Sequence, residues 1–313
     1  MATEPEKTSR QQSVEDLLTL IMIEENLPDT WLQDAVRWFV PLAQHIANLH
    51  HKTATPVCIG INGAQGTGKT TLARTLKMLL EQCHGLPTAA LSLDDFYLSR
   101  RARQDLAMSA HPLLVTRGVP GTHDTQLAMD TITRLKHGQP VQLPAFDKAV
   151  DDVVAAENWQ RLTEPVAVVL FEGWCIGLGP QSDEQLAEPV NTLESTEDPG
   201  GLWRHYVNTA LAADYQTLFR QLDMLVMVKA PDFDCVFAWR LHQEQQLARR
   251  LTDSTSTIEA PKLRLMNAEQ ISRFIAHYQR LTAHSLSTLP SKADVVFTLD
   301  TNHRITAGLY REH

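Results

Sequence analysis

Cysteine is scarce in this chain of 313 residues. The four present, Cys58, Cys83, Cys175 and Cys235, are far apart and form neither a CxxC pair nor a Cys/His ligand spacing. That excludes a disulfide framework or a zinc cage and reads as buried thiols in a reducing compartment, so the cytoplasm is the expected location. Long apolar runs are also missing: Val166–Phe171 is among the longest and is far too short to span a bilayer. Residues 1–12 lack the apolar core of a secretory signal. Basic residues are in deficit, 28 Lys+Arg against 37 Asp+Glu for a net charge of −9. The balance argues against nucleic acid or an anionic membrane as a partner held by overall charge. No internal repeat is found. What is present, 43% hydrophobic and 21% charged residues, suffices for a sizeable core and excludes disorder as the dominant state.

The acidity is unevenly placed. Residues 1–60 carry four basic and eight acidic side chains, and residues 181–198 carry six acids with no Lys or Arg. The remaining 24 basic and 23 acidic residues nearly cancel. A near-neutral remainder leaves Lys and Arg available for small anionic substrates.

Ser13 followed by Asp16 and an apolar series predicts a capped helix, and a second helix is expected over about Asp29–His50 with Pro41 inside it as a kink. From Pro56 the pattern alternates. Strands are expected at Val57–Ile61, Thr88–Leu93, Val166–Phe171, Met224–Val228 and, last, Asp294–Leu299. Helices are expected at Thr70–Cys83, Asp124–His137, Leu202–Leu222, about Asp232–Leu251 and Ala268–Leu286. Continuous apolar strands between helices imply a doubly wound α/β fold, a parallel sheet covered on both faces. Residues 1–55 then form an N-terminal helical extension to a domain over 56–313. Gly177–Gly201 reads as a long loop.

Gly63-Ala64-Gln65-Gly66-Thr67-Gly68-Lys69-Thr70 fits GxxxxGK[ST], with a strand running in and a helix leaving from Thr71. Glycines let the backbone turn its N–H groups toward phosphate oxygens, and the helix adds partial positive charge at its N-terminus. Lys69 supplies a full charge to the β/γ-phosphates and the Thr70 hydroxyl a ligand for Mg²⁺. Asp198-Pro199-Gly200-Gly201 matches the GTPase DxxG by letter but follows no strand, and neither NKxD nor LSGGQ occurs. Ser92-Leu93-Asp94-Asp95-Phe96-Tyr97 instead ends the second strand, where a carboxylate lies near the phosphate loop and can accept a proton from an attacking hydroxyl. The alternative is that Asp94 and Asp95 cap the next helix or bind a surface lysine.

The ordered set SxDDFY, Arg117-Gly118-Val119-Pro120-Gly121-Thr122-His123-Asp124, Leu143-Pro144-Ala145-Phe146-Asp147-Lys148 and Phe171-Glu172-Gly173-Trp174 resembles the D-glycerate 3-kinase family. That family is a branch of the P-loop kinase group containing uridine kinase, phosphoribulokinase and bacterial-type pantothenate kinase. The resemblance runs from about Val57 to Leu289. It implies a nucleoside-kinase-like P-loop fold with a lid helix, Asp94 as the general base, and Glu172 as a Walker-B acid holding Mg²⁺ through water. The bland alternative for Glu172 is a strand-end carboxylate paired with Lys69 when no nucleotide is bound.

By the same resemblance, Arg117, His123 and Asp124 belong to an acceptor-pocket loop, with Arg117 as the natural partner of a substrate carboxylate. His123 could instead be a helix-entry residue with Asp124 as the N-cap. Asp147 and Lys148 are substrate candidates or an exposed hairpin ion pair. Arg240, Arg249 and Arg250 are phosphate-contacting lid residues or a solvated face. The implied activity is transfer of the γ-phosphoryl of Mg·ATP to a hydroxyl of a small acceptor, D-glycerate first. Alternatives are a uridine- or pantothenate-type kinase and a nucleotide-binding regulatory protein without turnover. The expected partners are ATP and the acceptor; the oligomeric state is open.

Overall fold

The computed structural model describes residues 4–242 and 268–311. The ten strands among these residues, in chain order, are β1 (Val57–Gly63), β2 (Thr88–Ser92), β3 (Val141–Leu143), β4 (Phe146–Asp147), β5 (Asp152–Val153), β6 (Gln160–Leu162), β7 (Val168–Gly173), β8 (Met224–Lys229), β9 (Val295–Leu299) and β10 (Ile305–Tyr310). Six form one sheet in the order β2-β7-β1-β8-β9-β10, parallel except for the antiparallel edge strand β10. The other four form two small ribbons, β3 with β6 and β4 with β5. The doubly wound parallel sheet expected from the apolar runs is therefore present.

Every residue of β1 and β7 is buried, as central strands covered on both faces require. Alternate side chains feed two cores. Val57, Ile59 and Ile61 pack with Leu72 and Leu76 on one face, and Cys58, Val169 and Phe171 with Ala128 and Ile132 on the other. The chain leaving β1 moves to one edge at β2, and the chain leaving β7 crosses to β8 on the other side. The carboxyl ends of β1 and β7 thus flank the crevice where ligands bind in such sheets.

Several expected boundaries shift for physical reasons. The first helix spans Glu4–Glu24, so Ser13 lies inside it and does not cap it. Pro41 does not kink a single helix. The segment is Asp29–Asp34, a π-turn over Ala35–Phe39, and a helix Val40–Thr53 with Pro41 in its first turn, where the missing N–H costs little. Leu18, Ile21, Phe39, Leu42 and Ile46 from these N-terminal elements lie in the same core as β1. Leu202–Leu222 is likewise broken, into Leu202–Ala210, a π-turn Leu211–Tyr215 and Gln216–Phe219. Asp294–Leu299 is not the last strand: β10 follows it, and its half-exposed edge pattern lacks the apolar run that marks a central strand. The four cysteines are free, and no helix among the described residues is long and apolar enough to cross a membrane.

Gly177–Gly201 is not an open loop. It holds two short helices, Asp183–Ala187 opened by a Ser182–Gln185 capping box and Thr192–Glu197 capped by Asn191. Two carboxylates of the acidic stretch are sunk into the protein. Glu194, fully buried, receives both Nε (2.8 Å) and Nη2 (2.6 Å) of Arg280, and Asp198 receives Nη1 of Arg204 at 3.0 Å. Arg280 also donates to the Gln185 and Glu188 carbonyls, pinning the stretch to the Ala268–Thr288 helix. Two of the six acids are thus used in internal pairing. Removing one partner of a buried pair leaves an uncompensated charge, so Glu194→Ala is expected to cost about 3–5 kcal/mol of stability. Glu197→Ala removes only the exposed pair with Arg273 and is expected to cost at most about 1 kcal/mol. Thermal denaturation of the two variants checks the contrast.

Candidate active site

The crevice holds the phosphate loop. β1 ends at Gly63, and Gly68 is the N-cap of the Lys69–His84 helix. Gly66 and Gly68 both take φ of +82°, a conformation that Cβ-bearing residues disfavour, and this allows the tight reversal between strand and helix. A Cβ on Gly63 would lie 2.5 Å from Thr67 Oγ1, and one on Gly66 would lie 3.0 Å from Cβ of Trp239. Thr67 Oγ1 donates to the Ala64 carbonyl at 2.8 Å, closing the loop from within.

Three functional groups meet at its end. Thr70 Oγ1 donates to Glu172 Oε1 at 2.9 Å, and Lys69 Nζ lies 3.9 Å from Glu172 Oε2. Glu172 is the penultimate residue of β7, so the strand itself carries the carboxylate across from the loop. Its Oε2 is buried and receives no hydrogen bond. An acceptor oxygen left bare beside a hydroxyl and an ammonium fits a hard cation or its water shell. Among the described residues no group of three or more His, Cys, Asp or Glu forms a metal cage. A cation here would therefore take most ligands from phosphate and water, as Mg²⁺ commonly does.

Asp94 faces this centre across a cavity of about 300 Å³ that Lys69, Thr70, Arg117, Lys148, Arg240 and Tyr278 also line. Both its oxygens are engaged: Oδ1 accepts from Tyr97 Oη at 2.7 Å and Oδ2 from Lys148 Nζ at 2.6 Å. Burial pushes its carboxyl up, but Lys148 and Lys69, with the two hydrogen bonds, outweigh this and hold it at about 2. Asp95 does not line the cavity. It turns to the Phe146 amide at 3.4 Å, and burial, with help from Asp94 and Glu172, pushes it up to about 6 despite that bond. Arg117 stands at the cavity wall, paired with Asp151 and 5.5 Å from the centre of the Phe146 ring.

Other expected residues lie elsewhere. His123 is buried behind Tyr97, stacked on it at 4.7 Å, with Nδ1 2.5 Å from Tyr215 Oη. Asp124 caps the Thr125–Lys136 helix through Leu127 N–H. Asp147 accepts the Ala149 and Val150 amides within its own turn and is exposed. Thr71 follows the loop and donates to Glu25 of the N-terminal segment at 3.0 Å. Arg249 and Arg250 lie outside the described residues. Both alternatives raised from the sequence are visible, Glu172 beside Lys69 and Asp94 paired with an exposed lysine.

Burial pushes His123 down to about 4 from 6.5, so it is neutral at pH 7. The unfolded chain takes up this proton first as pH falls, so His123 contributes stability that declines from about pH 6.5 down to about 4. In His123→Asn, the fall in Tm over that window is expected to be shallower than in the wild type.

Tyr97, Phe274 and Tyr278 line the cavity without having been assigned a role from sequence. Tyr97 sits in the quoted DDFY string, and its spacing of three from Asp94 on a short 3₁₀ turn was a usable signal. Tyr278 carried none. It reaches Arg117 O with its hydroxyl at 2.9 Å from 161 residues away, and Gly118, at φ +124°, has no Cβ to obstruct it.

A second cavity, of about 390 Å³ and mostly apolar, opens on the other side of the loop. Gly66, Gly68 and Thr71 border both. Its walls include Trp31, Leu72, Trp239 and His303, the last two with ring centres 4.1 Å apart.

Comparison with known proteins agrees with this geometry. The model of the phosphoribulokinase/uridine kinase family matches residues 58–192. Over 246 residues the chain is 31% identical to the uncharacterized kinase mug58 of Schizosaccharomyces pombe, covering 76% of this chain and 83% of that protein. It is 29% identical over 253 residues to the chloroplastic D-glycerate 3-kinase of Arabidopsis thaliana, covering 76% of this chain but only 50% of that one. The structure of a D-glycerate 3-kinase from Cryptococcus neoformans var. grubii matches with a TM-score of 0.73 and 27% identity, over 88% of this chain and 99% of that one. With a phosphate loop, a strand-end acid and relatives of this kind, the chain belongs to the phosphoribulokinase/uridine kinase family and is an ATP-dependent P-loop kinase.

Proposed function

We propose that the protein transfers the γ-phosphoryl group of Mg·ATP to a hydroxyl of D-glycerate. The observation that carries the reading is the cavity in which Asp94 stands opposite Lys69 and Thr70 while Arg117, Lys148 and Arg240 border the same space. One carboxylate among several cations suits a small acceptor that brings its own negative charge to a triphosphate. The D-glycerate 3-kinases among its relatives favour that acid over a nucleoside.

In this reading the loop amides of Gly63–Thr71 and the Lys69 ammonium hold the β/γ-phosphates. The adjoining apolar cavity takes the nucleoside. Thr70 and, through water, Glu172 would hold Mg²⁺, which would neutralise charge on the phosphates. Arg117 and Lys148 bind the acceptor carboxylate, and Asp94 takes the proton of the attacking hydroxyl. Arg240 flanks the phosphates; Arg249 is proposed to join it. His123 is proposed to act on the acceptor side by packing under Tyr97, and Asp147 by shaping the Lys148 turn. The four free thiols favour a reducing compartment, the cytoplasm.

The test is ADP release from Mg·ATP with D-glycerate, L-glycerate, uridine and pantothenate in turn. D-glycerate is expected to stimulate release most. Stimulation by uridine or pantothenate instead reassigns the acceptor. ATP binding with no stimulation by any acceptor, in well-folded protein, refutes turnover and leaves a regulatory nucleotide binder.

A further inference from the structure

Lys148 rides on the β4–β5 hairpin, whose backbone is firmly tied down. Arg103, only 1% exposed, donates to the Asp151 carbonyl at 2.8 Å and pairs with its carboxylate at 3.0 Å. Arg117 holds the same carboxylate, and Asp95 accepts the Phe146 amide. The Lys148 side chain is different. It is 58% exposed, and its ammonium is held at Asp94 Oδ2. The opposite oxygen of Asp94 is held by Tyr97, which is buried, stacked on His123 and edge-on to Phe146.

Each Asp94 oxygen already accepts one hydrogen bond, and the ammonium on Oδ2 weakens that oxygen as a base for an incoming hydroxyl while occupying the space beside it. Tyr97 is wedged in the core and cannot withdraw without breaking its packing. Lys148 can swing away on a flexible four-carbon stem into solvent or cavity. Its withdrawal needs a replacement anion. Around Asp94 stand Lys69 from the phosphate-loop helix, Arg117 and His123 from the 117–124 segment, Asp95 and Tyr97 from its own turn, Glu172 and Cys175 from β7 and its exit, and Tyr278 from the last long helix. Among these the carboxylates are Asp95, facing Phe146, and Glu172, facing Thr70 and Lys69.

We propose that Lys148 is a substrate-operated latch on Asp94, closed in the free enzyme and opened when the anionic group of the acceptor draws its ammonium away. This rests on the reading of Asp94 as the base. Opening frees Oδ2 to take the hydroxyl proton as the acceptor oxygen bonds to the γ-phosphorus. The bond from that phosphorus to the β,γ-bridging oxygen breaks, and its electron pair leaves with ADP. A closed latch keeps the same oxygen a weak base toward water, so hydrolysis of ATP is suppressed until an acceptor that carries an anion arrives.

Lys148→Met separates these effects; the position is exposed, and circular dichroism and Tm check that the variant is folded. Acceptor-independent ATP hydrolysis is expected to rise about tenfold, less than the full 10²–10⁴ a positioned base can contribute, because water is not held in place as an acceptor is. kcat/KM for D-glycerate is expected to fall about 10- to 100-fold through loss of a charged contact. Lys148→Arg keeps the charge and is expected to keep hydrolysis low. Hydrolysis no higher in Lys148→Met than in the wild type overturns the latch. If hydrolysis rises in the variant but D-glycerate leaves the wild type unstimulated, the latch stands and the choice of acceptor fails.

Discussion

Asp94→Asn is expected to lower kcat for phosphoryl transfer by about 10²–10⁴-fold, the usual contribution of a positioned base, with ATP affinity changed little. The amide is nearly isosteric and keeps an oxygen for the Tyr97 hydroxyl, so the cavity keeps its shape. What it loses is a group that can accept a proton and a charge that Lys148 pairs with. Steady-state kinetics beside calorimetric ATP binding separates the two. Asp95→Asn is the control: its side chain faces the Phe146 amide and not the cavity, so a change of less than about tenfold is expected there. A rate unchanged in Asp94→Asn but abolished in Asp95→Asn would exchange their roles.

Lys69→Met ranks next. The ammonium stands at the end of the loop, 3.9 Å from Glu172, on the first residue of the helix. A donor aimed at developing charge is worth about 10²–10³ in kcat, and ATP affinity should fall as well because ground-state phosphates use the same cation. Affinity loss thus distinguishes Lys69→Met from Asp94→Asn. A Lys69→Met enzyme that binds ATP as tightly as the wild type would contradict the assigned place of the phosphates.

Much of this was legible in the sequence where the information is local. The phosphate loop is eight consecutive residues, and its flanking strand and helix are contiguous, so one periodicity change at Val57 and one glycine pattern suffice. Asp94 and Glu172 could be placed near the loop because one closely follows an apolar strand and the other lies at the end of one, and parallel strands deliver their carboxyl ends to one crevice. What could not be read depends on partners distant in sequence. Glu194 and Asp198 look like solvated acid until Arg280 and Arg204 are seen beside them. Tyr278 reaches the cavity from a helix whose pattern announces only burial. β10 is an edge strand with one apolar face too broken to register. His123 illustrates the opposite risk: a residue in a motif-rich loop reads as substrate-facing, while the fold uses it as the layer beneath Tyr97.

The acidity of the chain also acquires a physical account. Part of the excess in 181–198 is spent inside the protein, fastening the helix that carries Phe274 and Tyr278 to the cavity. Around the cavity itself cations predominate, as the proposed pairing of a triphosphate with an anionic acceptor would require.

The central claim is that the γ-phosphoryl group moves to a hydroxyl of D-glycerate and not to water. Phosphorus NMR of a reaction holding Mg·ATP, D-glycerate and the purified protein tests this directly. The account predicts a phosphomonoester resonance that grows in step with ADP, with inorganic phosphate remaining minor. Inorganic phosphate growing in step with ADP, and no phosphomonoester, would contradict it.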